Sequence, residues 1–133
     1  MATLFLKRYP DSSSGKFIDG TAQDIEESLI SDEILNMLGD LKSLPTLQLY
    51  GDTADNNFSA FPCITGEWID LLRKQIEEKF VNSRSHPHTH QPAKDELENE
   101  ILNMRVMTNV FYLLWLKETQ YGEDEFAILQ LEM

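Results

Sequence analysis

The chain has 133 residues, of which 41% are hydrophobic and 26% charged, with 23 acidic residues against 11 lysines and arginines. This composition excludes an intrinsically disordered chain and is sufficient for a single domain over residues 1–133. The one cysteine, Cys63, excludes an internal disulfide framework, and the formal net charge of −12 disfavours direct binding to nucleic acid or an anionic membrane.

The sequence predicts neither an export signal nor a membrane-spanning segment. Residues 1–12 contain only a short apolar run before they turn polar, so they lack the apolar centre of a secretory signal. The longest apolar stretch, residues 106–116, is too short to cross about 30 Å of hydrocarbon, which needs about 20 residues. We therefore expect a cytoplasmic protein without a membrane partner.

Two strands are predicted in the first half of the chain. Residues 3–9 alternate between apolar and other side chains, and residues 45–52 do the same between a proline and a glycine–aspartate pair. Residues 53–64 have no clear period, so they predict a polar loop that exposes two phenylalanines.

The acidic segment between these strands, residues 19–40, is predicted to be helical. Thr21 and Asp24 approximate a capping box at its start. The apolar stripe changes direction near Ser31, which predicts a bend or a second N-cap there, and Gly39 predicts the end of the helix.

The second half of the chain predicts two helices and a last strand. Residues 65–80 place their apolar side chains on one broad face of a helix. Residues 93–121 form a longer helix that becomes apolar nearly all round, so its aromatic side chains, Tyr112 and Trp115 among them, are expected in the core. Residues 125–133 alternate as a final strand. The fold predicted is α+β, with a small sheet of about three strands packed against three or four helices, one long and central.

All three histidines of the chain, His86, His88 and His90, lie within five residues. In an extended segment alternate side chains point the same way, so three imidazoles could converge on zinc, nickel or copper. No cysteine or carboxylate lies within the run, and an exposed polar loop is the simpler interpretation. We predict no metal and no cofactor, with these histidines as weak metal candidates.

Other signs of catalysis are sparse. Cys63 precedes a predicted helix, whose N-terminus would lower a thiol pKa, but a nucleophilic cysteine also needs a base, and a buried structural cysteine is the alternative. Adjacent acid pairs could act as general acid and base, although an acidic helix contains such pairs by chance. No glycine-rich phosphate loop and no Gly-x-Ser-x-Gly motif is present. We therefore expect a protein that is not an enzyme.

The acidity is unevenly distributed along the chain. Between residues 17 and 72 there are eleven acids and one lysine. Such a field attracts a partner protein with a basic surface, although acidity that only solubilises the protein is the simpler alternative. Phe58 and Phe61 are expected to add exposed apolar contacts. The carboxylates expected to bind the partner are Asp24, Glu26, Glu27, Asp32 and Glu33.

Small size, high acidity and the lack of a catalytic motif are shared by immunity proteins, nuclease inhibitors and phage-encoded nucleic-acid mimics. The first hypothesis is therefore a non-catalytic module that docks on a basic surface of a partner protein. The alternative is a structural or accessory subunit of a bacterial or phage assembly, in which neighbours or a second copy bury an open sheet edge and the apolar helix around residues 106–116. A small metal- or thiol-dependent enzyme is the third hypothesis.

Overall fold

A computed structural model describes residues 2–10, 17–18, 20–50, 58–85 and 94–133, with the backbone alone described at 58–59, 82–85 and 94–97. These ranges contain six strands and three α-helices, together with a short 3₁₀ turn at Leu41–Ser43. In chain order the elements are β1 (Ala2–Arg8), β2 (Phe17–Ile18), β3 (Gln23–Ile30), α1 (Asp32–Leu38), β4 (Thr46–Tyr50), β5 (Phe58–Ile64), α2 (Gly66–Ser85), α3 (Lys94–Gln120) and β6 (Ala127–Glu132).

The six strands form one mixed sheet in the order β2-β4-β5-β6-β1-β3, and the sheet curls into a half-barrel. Every neighbouring pair is antiparallel except β2 with β4. The prediction of a small sheet of about three strands is therefore wrong, although the protein is α+β. The error comes from three strands that were not predicted: β2, β3 and β5.

β3 replaces the first part of a predicted helix. Its glutamates and the four-residue spacing of Ile25 and Leu29 favour a helix in isolation, but the segment pairs along its length with β1. The register shifts between Leu6 and Lys7, which makes Ile25 the extra residue of a β-bulge. The bulge returns Ile25 to the core side and leaves Leu29 54% exposed. Because the bulge breaks the two-residue period, the sequence pattern did not indicate a strand.

β5 is formed by part of the segment that was predicted to be a polar loop. It pairs with β4 along its length and with β6 at Cys63 and Ile64. Pro62 is usually a strand breaker, and the two sides of β5 are buried against different neighbours, so no single apolar period appears. The loop prediction is wrong for Phe58–Ile64, and residues 53–57 lie outside the described ranges.

The helix predictions from Ser31 onward are confirmed. The Ser31 side chain accepts a 3.4 Å hydrogen bond from the Ile34 N–H and caps α1. α1 ends at Gly39, whose φ of 73° lies in the left-handed region that favours glycine. α2 and α3 cover the two helices predicted in the second half of the chain. Within the described ranges, no helix combines the length and apolarity needed to cross a bilayer.

The apolar core lies on both faces of the sheet. The larger cluster fills the space between the sheet and the three helices, with Leu4, Leu6 and Leu114 fully buried at its centre. Successive residues of a strand point to opposite faces of the sheet. The apolar side chains on the face away from the helices form a second, smaller cluster, which includes Tyr9 and Leu49. The sheet is therefore a two-sided scaffold whose last strand, β3, lies at one edge.

Candidate functional site: an acidic sheet edge

The acidic residues predicted to bind a partner lie together, but mainly on a strand. β3 is the terminal strand of the described sheet, and it leads through Ser31 directly into α1. The predicted helical contact over residues 19–40 is therefore corrected to β3 and the first turn of α1. We call this surface the acidic edge; its carboxylates are Asp24, Glu26, Glu27, Asp32 and Glu33.

Two of these carboxylates form ion pairs within the protein. Lys7 Nζ lies 3.6 Å from Asp24 and 3.8 Å from Glu132, so it bridges β3 and β6 across β1. Lys79 Nζ lies 2.6 Å from Glu33 and joins α2 to α1. The Lys79–Glu33 pair is largely exposed, and such pairs contribute about 0–1 kcal/mol. Both lysines partly neutralise the carboxylates that they contact.

The other three carboxylates, Glu26, Glu27 and Asp32, are exposed and have no ion pair to another described residue. Glu26 and Glu27 point to opposite faces of the sheet, because successive residues of a strand alternate. β3 is the last strand of the described sheet, so these two carboxylates lie on the two faces of the sheet at its final strand. Asp32 adds a third carboxylate at the first residue of α1. A partner that approaches this edge meets negative charge on both faces and at one end.

The two phenylalanines predicted as apolar contacts do not join the acidic edge. Both belong to β5, which β6 and β1 separate from β3. At about 4.8 Å per strand, this separation is roughly 14 Å. Phe61 is half-buried against the second apolar cluster, and the side chain of Phe58 lies outside the described part of the protein. Leu29, on β3, is an exposed apolar side chain on this edge.

The two candidate chemical centres predicted from the sequence are the histidine run and Cys63. His86, His88 and His90 lie outside the described ranges, and the described residues contain no group of three potential metal ligands. Cys63 is buried in β5, where its thiol donates a 3.4 Å hydrogen bond to the Pro45 carbonyl. Burial raises the pKa of the Cys63 thiol, opposite to the lowering expected from a helix N-terminus. The thiol is therefore a packed structural group.

A charged cluster joins β1 and the end of α3 to the turn before β6. Asp124 Oδ2 accepts a 2.8 Å hydrogen bond from Arg8 Nε, and Lys117 Nζ donates to the Tyr121 and Asp124 carbonyls at 2.9 Å each. Burial alone would raise the pKa of Asp124. Hydrogen bonds from the Phe126 N–H and Arg8 outweigh that effect and, with the nearby positive charges, hold the pKa of Asp124 below its usual value. The cluster fixes the turn against β1.

The sequence reasoning missed an exposed stripe along α3. Tyr112 and Trp115, which were expected in the core, are 47% and 46% exposed, and their rings stack at a centroid distance of 6.0 Å. The prediction that they are core residues is wrong. The signal that would have found the stripe is its alternating spacing of four and three residues. We call it the outer stripe; its residues are Ile101, Arg105, Thr108, Tyr112, Trp115 and Thr119.

Comparison with known proteins identifies no relative: no protein-family model, no curated protein and no solved structure matches this chain. The functional conclusion therefore depends on the geometry and charge of the acidic edge and the outer stripe.

Proposed function

We propose that the protein is a small, non-catalytic binding module that docks the acidic edge on a basic surface of a partner protein. The observation that carries the proposal is the position of Glu26, Glu27 and Asp32, three exposed carboxylates without a described ion pair on and next to the last strand of the described sheet. An immunity protein, a nuclease inhibitor or a nucleic-acid mimic would present such carboxylates to its partner at the positions where a nucleic acid presents phosphates.

Electrostatics supports this proposal. The protein carries a formal net charge of −12, and the five carboxylates of the acidic edge concentrate part of that charge within ten residues. Complementary charge accelerates association, and it contributes more to rate and specificity than to the final affinity. The partner is therefore expected to present lysines or arginines at a spacing that matches the edge.

The backbone of β3 supports the same docking surface. An edge strand presents N–H and C=O groups that a partner strand can pair with, and carboxylates on such a strand discourage pairing with another acidic edge. An extended segment of the partner that carries lysines or arginines could form hydrogen bonds with the backbone of β3 and ion pairs with its carboxylates. The proposed docking mode is therefore selective for a basic partner.

The proposal includes a cytoplasmic location and needs no cofactor. A single buried cysteine is consistent with a reducing compartment. Fractionation of the native host, with detection of the protein by antibody, checks the location independently of binding.

The test compares two variants with the same net charge. One replaces Glu26→Gln, Glu27→Gln and Asp32→Asn. The control replaces Glu67→Gln, Glu77→Gln and Glu125→Gln, three exposed carboxylates on α2 and the turn before β6. Wild type and both variants capture proteins from native host lysate at low and high salt, and zero-length carboxyl–amine cross-linking maps the contact.

We expect the control to retain a basic partner and the acidic-edge variant to lose it. Cross-links should join Glu26, Glu27 or Asp32 to partner lysines, and high salt should weaken capture of the wild type. If both variants capture the partner equally, the acidic edge is not the docking surface. If the acidic-edge variant self-associates instead, its carboxylates serve to protect the strand from edge-to-edge pairing.

An accessory subunit of a larger assembly is the second candidate function. The observation that favours it is the outer stripe, because exposed stacked aromatics on a long helix are unusual for a surface in contact only with water. In this case partners would be retained at high salt, since burial of apolar surface does not depend on charge.

A further inference from the structure

We propose that two copies of the protein associate through the outer stripe, with their α3 helices antiparallel about a two-fold axis near Val110. The proposal concerns a different surface from the acidic edge and does not depend on it. Its basis is the order of the six side chains along the stripe, which makes the stripe complementary to itself.

The outer stripe runs along the side of α3 that faces away from the core. At about 100° per residue, its positions cluster opposite the buried side chains of Met107, Val110 and Leu114. The six positions are all exposed, and the first and last are 18 residues apart, which is about 27 Å of helix. Spacings that alternate between four and three residues keep a straight seam along a helix, as in a coiled coil.

In the antiparallel arrangement, each residue of the outer stripe faces a different residue of the same stripe in the second copy. With the axis near Val110, Arg105 of one copy faces Trp115 of the other, and Thr108 faces Tyr112. At the ends of the seam, Ile101 faces Thr119. A two-fold axis repeats each of these pairs, so every favourable contact occurs twice.

The pairing of Arg105 with Trp115 gives the interface its specificity. Arg105 is the one charged residue of the stripe, and it forms no ion pair with another described residue. A guanidinium over an indole is a favourable cation–π pair, and it strengthens when water is excluded. A parallel arrangement would instead place Arg105 against Arg105, where the two charges repel.

Pairing of two copies through their acidic edges is disfavoured. Antiparallel pairing of β3 with itself about its centre would place Glu26 of each copy opposite Glu27 of the other, at the middle of the contact. Like charges directly opposite each other destabilise a strand pair. A second copy is therefore expected on α3 rather than on the acidic edge.

Sedimentation equilibrium tests the dimer with wild type, Trp115→Ala and a control, Leu71→Ala, which removes an exposed leucine from α2. We expect the dissociation constant to rise about a hundredfold for Trp115→Ala, because an interfacial tryptophan is lost twice, and to change less than about threefold for the control. A wild type that stays monomeric at millimolar concentration, or a dimer that Trp115→Ala leaves intact, overturns the proposal.

A charge exchange tests the facing residues. Arg105→Glu and Trp115→Lys should each weaken the dimer at least tenfold, the first by loss of the cation–π pair and the second by repulsion from Arg105. The double variant places glutamate opposite lysine twice and should recover most of the loss. The two positions are about 15 Å apart on one helix, so recovery cannot come from contact within a chain. Losses that simply add would contradict the arrangement.

Spin labels at Thr119→Cys, in a Cys63→Ala background, report the direction of the helices. The antiparallel arrangement separates the two labelled positions by about 27 Å, whereas a parallel one brings them to about 10 Å. A short distance would contradict the antiparallel pairing even if a dimer forms.

Discussion

The acidic edge and the outer stripe are both exposed, but their chemistry is opposite. The edge presents three carboxylates without a described ion pair and one exposed apolar side chain, Leu29. The stripe presents stacked aromatics, Tyr112 and Trp115, and its only charged residue is basic, Arg105. Carboxylates act over a Debye length, about 8 Å at physiological ionic strength, whereas apolar side chains act only in contact.

This difference indicates that the acidity of the protein is not a uniform solubilising coat. A chain with a formal net charge of −12 leaves one side of its longest helix without a single acid among six seam positions. We infer two separate surfaces, one suited to long-range attraction of a basic partner and one suited to close packing. Salt should separate them, because it weakens the first and leaves the second largely unchanged.

The largest expected effect comes from comparing the inner and outer sides of α3. Leu114→Ala removes a fully buried side chain and should lower the free energy of unfolding by about 2–5 kcal/mol. Trp115→Ala should lower it by only about 1 kcal/mol in the monomer, from loss of stacking on Tyr112. Urea titration at low protein concentration measures both. Equal losses would show that Trp115 belongs to the core of the monomer.

An intermediate effect is expected where a carboxylate is structural. Asp124→Asn keeps the size of the side chain but removes the charge that Arg8 binds, so it should cost about 1–2 kcal/mol at neutral pH. The folded pKa of Asp124 is below its unfolded value, so its stabilisation is present above about pH 4 and is lost as pH falls through the folded pKa.

Unfolding of wild type and Asp124→Asn between pH 7 and pH 2 checks this assignment. The free energies of unfolding of the two proteins should differ at neutral pH and become equal in acid. A constant difference at every pH would mean that the loss comes from packing rather than from charge.

The smallest effect is expected at the acidic edge. Glu27→Gln should change the free energy of unfolding by less than about 0.5 kcal/mol, because the side chain is exposed and has no described ion pair. Thermal melts of this variant and of Asp124→Asn give the direct contrast between a carboxylate proposed to bind a partner and a structural one. A loss above 1 kcal/mol would assign Glu27 a role in the fold.

The sequence predicted elements well where one period persisted and poorly where a tertiary contact set the structure. The Ser31 cap, the Gly39 stop and both long helices followed from local chemistry. β3 was hidden because the bulge at Ile25 breaks the alternation, and because pairing with β1 overrides the helical tendency of its glutamates.

The candidate sites divide in the same way. The five carboxylates of the acidic edge were predicted because they are adjacent in sequence, so they stay together whether the segment is helix or strand. Phe58 and Phe61, the other two predicted contact residues, lie on β5, and their distance from β3 depends on the order of strands in the sheet, which the sequence does not indicate. The exposure of Trp115 depends on which side of α3 the sheet covers, and an almost uniformly apolar helix does not indicate that side.

The most direct test of the central claim is the association rate of the captured partner with wild type, the acidic-edge variant and the matched control across ionic strength. We predict that the rates of wild type and control fall at least about tenfold between roughly 0.05 M and 0.5 M salt. The acidic-edge variant should associate more slowly at low salt, depend less on salt, and approach the others at high salt. Superimposed salt profiles for the two charge-matched variants would contradict the claim that the acidic edge is the docking surface.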